Sequence, residues 1–298
     1  MKRILVTGAG GMTGSEVCEQ ATEAGWMVQP LSHADADITD ARAFTDVTQK
    51  FRPDIVVNAA AYTAVDRAES DADVAMAVNA DGARNVARAA AMTGAPIIHI
   101  STDYVFNGEG RAPYSPDAQT SPIGVYGKTK LAGEAAVRDE NSSHVIVRTS
   151  WVFSHRGSNF VRTMLRLGAE RDEVRIVEDQ VGRPTSAADL ARALLVVAEA
   201  ITEKPSPAGV YHFANSGETS WYGFAKAIFE DAADLGEAHT PRIVPIPTSE
   251  FPTPARRPAY SVLDTSTFTD RFGVEPRSWR SALRETVALS LRNSLARA

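Results

Sequence analysis

The segment GVYGKTKLAGE, residues 124–134, carries one phenol and two ammonium groups: Tyr126, Lys128 and Lys130. A free phenol titrates near 10, so passing a proton through it at neutral pH calls for a shift of roughly 2–3 units, about 3–4 kcal/mol. A neighbouring ammonium in a partly desolvated cleft supplies such a shift by favouring the phenolate. Each helical residue turns about 100°, which sets Lys128 about 200° from Tyr126 and Lys130 about 40° away, one turn along. Only Lys130 can share a site with Tyr126; Lys128 reads as a solvated or ligand-edge charge. The preceding TSPIG predicts a helix start with Ser121 as N-cap and Pro122 at the first position. Such pairs are common on ordinary helices, so the rest of the chain decides what this one means.

A second constellation lies at the N-terminus. VTGAGGMTGSE places Gly8, Gly11 and Gly14 three apart, after an apolar run and at the opening of a helical pattern. That arrangement gives a tight turn, close backbone approach to a pyrophosphate, and free N–H groups at a helix start. The context of strand, turn and helix makes the trio a dinucleotide signal. An NAD-type site wants an acid at the end of the second strand, but here stand Leu31, Ser32 and His33, with Asp35 and Asp37 later. No arginine is there for a 2′-phosphate either. The expectation is NADPH, with NADH accepted.

The elements that must position these groups follow from periodicity. Strands are expected at 3–7, 26–31, 53–60, 96–101 and 144–150, with helices at 12–25, 41–51 and 71–93 between them. This alternation predicts an α/β fold with a Rossmann-like, doubly wound parallel sheet. The fourth strand ends in HISTDYVFNG, which sets the hydroxyls of Ser101 and Thr102 at the edge where a bound nucleotide would point its reactive end. After about residue 150 the pattern loosens: helices near 159–170, 187–203, 221–234 and 279–295, and strands near 174–177, 210–213 and 242–246. Residues 1–150 are read as the dinucleotide-binding domain. Residues 151–298 are read mainly as a smaller substrate-binding lobe, with some segments returning to the sheet. Prolines between 241 and 258 suit an ordered ligand-covering loop or a connector.

TGAGGMTG, NAAAYTAVDRAES, STDYVF and YGKTKLAGE resemble the extended short-chain dehydrogenase/reductase family, in its sugar-nucleotide reductase branch. The likeness continues through VRTSWVF, NFVRTMLRL, DQVGRPTSAADLA, GVYHFAN, WYGFA and PTPARRPAYSVLD, nearly the whole chain. The resemblance implies reduction of the C4 keto group of a dTDP-4-keto-6-deoxyhexose by hydride transfer from NAD(P)H. It implies that Tyr126 protonates the carbonyl oxygen, Lys130 lowers the tyrosine pKa and holds the nicotinamide ribose, and Thr102 orients the carbonyl. By the same likeness Gly8, Gly11, Met12 and Gly14 hold the pyrophosphate. Asp37 and Ile38 meet the adenine, and Ala59, Ala60 and Ala61 line the cofactor path. Thr63, Val65, Asp103, Tyr104 and Trp151 match positions around the sugar, and Asn159, Arg183, Arg257 and Ser261 the nucleotide-diphosphate end.

Related dehydratases carry an acidic pair after the threonine; here Asp103 is followed by Tyr104, which argues against water elimination. A sugar-nucleotide epimerase and a non-catalytic NADP-binding regulatory subunit remain the alternative readings within the family. Some relatives dimerise around magnesium. Glu16 matches one ligand position, but Ala188 stands where a second acid is expected, so no metal site is assigned and a homodimer is left open.

The bulk composition narrows the classes further. A net charge of −6 with scattered Lys and Arg argues against nucleic acid. The single cysteine, Cys18, permits no internal disulfide, and no apolar stretch approaches a membrane span, so a cytoplasmic protein without a membrane partner is expected. Cys18 reads as a small packed residue. The six histidines show no metal-ligand spacing and are read as structural or exposed, and Asn58 as a strand-end hydrogen-bonding residue.

Overall fold

The computed structural model describes residues 1–203, 208–237 and 239–295. Strands β1 (Arg3–Thr7), β2 (Met27–Leu31), β3 (Ile55–Asn58), β4 (Ile97–Thr102), β5 (His144–Thr149) and β6 (Gly209–His212) form one sheet. Their order is β6-β5-β4-β3-β1-β2 and every pairing is parallel. The chain winds outward in both directions from the β1–β3 boundary, the crevice where such sheets take ligands.

Both faces of the sheet are buried, which is why its strands are continuously apolar. Ile4, Val6, Ile55, Val57, Ile98, Val145 and Val147 pack on one side against Val17 and Ala21 of helix Met12–Glu23 and Leu190, Leu194 and Val197 of helix Ala187–Glu203. The alternate residues Leu5, Val56, Ile97 and Ile146 pack on the other against Phe44, Val86, Ala90 and Val137. Those four come from helices Ala41–Phe51, Ala83–Met92 and Val125–Glu140. A third apolar cluster, including Phe153, Val161, Phe224, Phe229 and Leu283, is built wholly from the second half of the chain. Cys18 packs against the first cluster, and burial pushes its thiol up to about 11.

Two local expectations change. The helix read over 71–93 is three pieces: Ala72–Met76, a π-helical turn Ala77–Gly82, and Ala83–Met92. The wider turn carries Asn79, whose amide accepts from Tyr62 N at 2.8 Å and donates to Tyr62 O at 3.1 Å and Thr129 Oγ1 at 3.0 Å. It ties the loop after β3 to the tyrosine helix, a use typical of π-turns. The tyrosine helix begins at Val125 after Gly124, not at Ser121, whose N–H bonds Val105 O. The Glu69 carboxylate, from a distant segment, accepts from Val125 N at 2.8 Å and replaces the local cap.

The proline-rich segment is ordered. Arg242–Ile246 pairs in parallel with Glu173–Val177. Further on, Ala255 N and Arg257 Nη2 both donate to the Asp66 carboxylate, at 3.2 and 2.7 Å. Among the described residues no helix is long and apolar enough to cross a membrane.

Candidate active site

The cradle is made by backbone contacts that exclude side chains. Gly8 has φ +64°, and a Cβ there would lie 2.7 Å from the Ala59 backbone; one on Gly14 would lie 2.2 Å from Gly8 O. The loop therefore folds onto itself and onto the segment after β3. Helix Met12–Glu23 starts here with no side-chain cap and no acid in its first turn, which leaves its N–H groups for an anion. The residues present thus fit a dinucleotide pyrophosphate.

A cleft of about 790 Å³ runs from this loop along the C-terminal ends of the strands. Gly8, Gly11, Met12 and Gly14 line one end, Asp37 and Ile38 a side, and Ala59, Ala60 and Ala61 the path between. Thr63, Val65, Thr102, Asp103, Tyr104, Tyr126, Lys130, Trp151 and Asn159 line the remainder. Arg183, Arg257 and Ser261 are not among the lining residues. Arg257 is held by Asp66, Ser261 is buried behind Asp103, and Arg183 offers its carbonyl to Ser150 Oγ at 2.7 Å.

At the reacting end Lys128 is exposed and Lys130 is 2% exposed, as the helical angle requires. Gly127 permits this approach: a Cβ would fall 2.1 Å from Tyr104 O, so the helix lies directly on the turn after Thr102. Tyr104 and Tyr126 meet edge to face, ring centroids 5.5 Å apart. Thr102 Oγ1 donates to Asp103 Oδ1 at 3.0 Å and accepts from Tyr104 N at 3.2 Å.

Lys130 Nζ donates to Ile100 O at 2.7 Å and lies 3.4 Å from His99 Nε2. His99 Nδ1 is 3.0 Å from Asn58 Nδ2, and Asn58 Oδ1 accepts from Thr7 Oγ1 at 2.7 Å. Beyond Lys130, Glu134 accepts from Ser101 Oγ at 2.6 Å and from Arg148 Nε and Nη2, both at 2.8 Å. Ser101, expected at the site for its hydroxyl, therefore binds Glu134.

Burial governs the protonation states. It lowers Lys130 to about 8, with the Glu134 charge opposing. It holds His99 well below the ordinary range, so the imidazole is neutral. It raises Tyr126 to about 12, partly offset by the Thr102 hydroxyl. The expectation that the lysine would lower the tyrosine is thus reversed. The ammonium is bound to the Ile100 carbonyl, and burial of the phenol dominates. The phenol is fully protonated at neutral pH, though a weaker acid than a free tyrosine.

Trp151 has φ +47°, a strained conformation for a bulky residue, and stacks on Trp221 with centroids 3.7 Å apart and planes 8° off parallel. Trp221, which also lines the cleft, escaped the sequence reading, and His99, read there as structural or exposed, is buried against Lys130. Glu16 is buried, with Oε1 3.8 Å from His155 Nδ1. Among the described residues, no group of three or more His, Cys, Asp or Glu gathers that could hold a metal ion.

Residues 1–291 match the family described as RmlD substrate binding domain. The chain belongs to this family. The dTDP-4-dehydrorhamnose reductase of Burkholderia thailandensis is 45% identical to this RmlD-family chain over 291 residues, 94% of the chain and 96% of its own length. That of Escherichia coli is 40% identical over 281 residues, covering 93% and 94%. Among solved structures, a dTDP-4-dehydrorhamnose reductase of Clostridium acetobutylicum superposes with a TM-score of 0.90 at 41% identity, covering 96% of this chain and 99% of its own. One from Bacillus anthracis, in complex with NADP, gives 0.89 at 38%, covering 97% and 99%. The UDP-glucose 4-epimerase of Brucella ovis shares the fold at a TM-score of 0.81 but only 17% identity.

Proposed function

We propose that this RmlD-family chain is an oxidoreductase that reduces the C4 keto group of a dTDP-4-keto-6-deoxyhexose, converting dTDP-4-dehydrorhamnose to dTDP-rhamnose. One observation carries the reading: Thr102, Tyr126 and Lys130 converge on a cleft that begins at a glycine cradle. The curated relatives at 40–45% identity that bear this activity's name support the substrate.

The nicotinamide cofactor supplies the hydride when bound. Gly8, Gly11, Met12 and Gly14 would hold its pyrophosphate, Asp37 and Ile38 its adenine end, and Lys130 its ribose. Thr102 binds the ketone oxygen and fixes its direction. Tyr126, kept protonated by burial, gives its proton to that oxygen as negative charge develops there, which is general acid catalysis joined to positioning. Thr63, Val65, Asp103, Tyr104 and Trp151 surround the sugar, and Trp221 backs Trp151. The second half of the chain, which contributes Trp151, Asn159 and Trp221 to the cleft wall, acts as the substrate lobe.

NADPH is preferred to NADH in this reading. Ser32 and His33 line the cleft just beyond β2, and the Asp35 carboxylate is engaged by Ser32 N and Oγ at 2.8 and 2.6 Å. The Asp35 carboxylate stays ionised at the strand end, so the preference leans on the related Bacillus anthracis reductase, which was solved in complex with NADP. Incubation with a dTDP-4-keto-6-deoxyhexose under NADPH and NADH separately, with NMR assignment of the product, tests this. The C4 alcohol is expected with both, faster with NADPH; no alcohol with either would overturn the assignment.

A further inference from the structure

A threonine hydroxyl has one hydrogen and two lone pairs. At Thr102 one lone pair takes Tyr104 N–H, and the hydrogen goes to Asp103 Oδ1 at 3.0 Å. In that arrangement Thr102 has nothing to donate to a ketone oxygen, the task assigned to it above. It would present a lone pair, and the contact would be repulsive. The conflict resolves if the carboxyl is the donor.

Asp103 is built for that role. It is 1% exposed, and its second oxygen, Oδ2, is buried with no hydrogen-bond partner. The groups facing it are Thr102 on β4, Tyr104 on its own turn, Tyr126 on the tyrosine helix and Ser261 on the C-terminal loop. None is a cation. Arg257, whose charge reaches Tyr104, is paired with Asp66. Burial outweighs the Ser261 and Thr102 hydroxyls and the Asp103 and Tyr104 N–H groups, which favour the ionised carboxylate, and a neutral carboxylic acid gains a donor hydrogen.

We propose that Asp103 is a protonic switch on Thr102. Neutral, it donates from Oδ1 to Thr102 Oγ1 and frees the threonine hydrogen for the substrate ketone. Ionised, it captures that hydrogen and turns the site off. The inference rests on the reductase reading and adds a positioning residue to it. Burial raises Asp103 to about 6, so the switch operates next to neutrality, and a bound sugar, by excluding water further, favours its neutral form.

The test is the pH dependence of kcat/KM, which reports ionisations of the free enzyme. It is measured with NADPH and the dTDP-4-keto sugar for the wild type, Asp103→Asn and Asp103→Ala. The wild type is expected to fall in two steps, from about 6 as Asp103 ionises and from about 8 as Lys130 loses its proton. Asp103→Asn, whose amide N–H₂ donates at every pH, is expected to lose the lower step alone and to exceed the wild type at pH 8. Asp103→Ala, which has no oxygen to capture the threonine hydrogen, is expected to lose the lower step as well. A carboxylic-acid C=O band in the infrared spectrum, absent in Asp103→Asn and titrating near 6, reads the switch without turnover. Parallel profiles for wild type and Asp103→Asn, as a role confined to sugar binding gives, would overturn the switch and leave the reductase reading standing. A wild type that never turns over would overturn both.

Discussion

Lys130 reaches from its helix to the main-chain carbonyl of Ile100, Nζ to O 2.7 Å, and this bond anchors the ammonium at the ends of the strands. Lys128, two residues earlier, is exposed to solvent. Lys130→Met is therefore expected to lower kcat/KM by about 10²-fold or more, the scale of lost proton-transfer and positioning groups. Lys128→Met is expected to stay within about twofold. Steady-state kinetics of the two variants side by side checks this, and equal losses would contradict the assigned geometry.

Gly127 sets how close Tyr126 comes to Thr102. A methyl at that position would fall 2.1 Å from Tyr104 O, so Gly127→Ala must push the helix away from the turn. Overpacking of this kind costs about 1–3 kcal/mol, offset by about 1 kcal/mol of helix propensity. A net loss of about 1–2 kcal/mol in chemical denaturation is expected, with a fall in kcat larger than the rise in KM, because the proton donor moves.

Much of this was legible in the chain itself. The alternating apolar strands and the helical angle from Tyr126 to Lys130 need only local periodicity, and both hold. What surrounds Lys130 was less legible. His99 and Ser101 alternate with Ile100 along β4 and meet Lys130 and Glu134 of the same helix. Strand alternation places His99 and Ser101 on one face of β4, a signal that metal-ligand spacing does not carry. The π-turn at Ala77–Gly82 and the Glu69 cap on Val125 arise from tertiary contacts that helix propensity does not encode. Arg257 was expected at the nucleotide-diphosphate end, yet it is bound by Asp66, 191 residues away in sequence. Only the folded chain brings that carboxylate near.

Asp103 carries a stability signature of its own. Its pKa is 3.8 when exposed and about 6 in the folded protein. The folded state holds the proton more tightly, so the penalty is absent below about 4, grows to about pH 6 and is complete above it. A shift of about two units corresponds to roughly 3 kcal/mol. Asp103→Asn removes this penalty and is expected to stabilise the protein at pH 8 but not at pH 4, as read by denaturant unfolding at the two pH values. Equal stability changes at both would contradict a buried, proton-holding carboxyl.

The central claim is that Tyr126 gives the proton to a sugar ketone in this cleft. Its most direct test is NADPH oxidation with dTDP-4-dehydrorhamnose by wild type and Tyr126→Phe, with NADPH affinity measured for both by fluorescence titration. The variant keeps the ring, its packing on Tyr104 and the cradle, and loses only the hydroxyl. The account predicts turnover reduced by about 10²–10⁴-fold with cofactor affinity within about threefold. Unchanged turnover in Tyr126→Phe would contradict it.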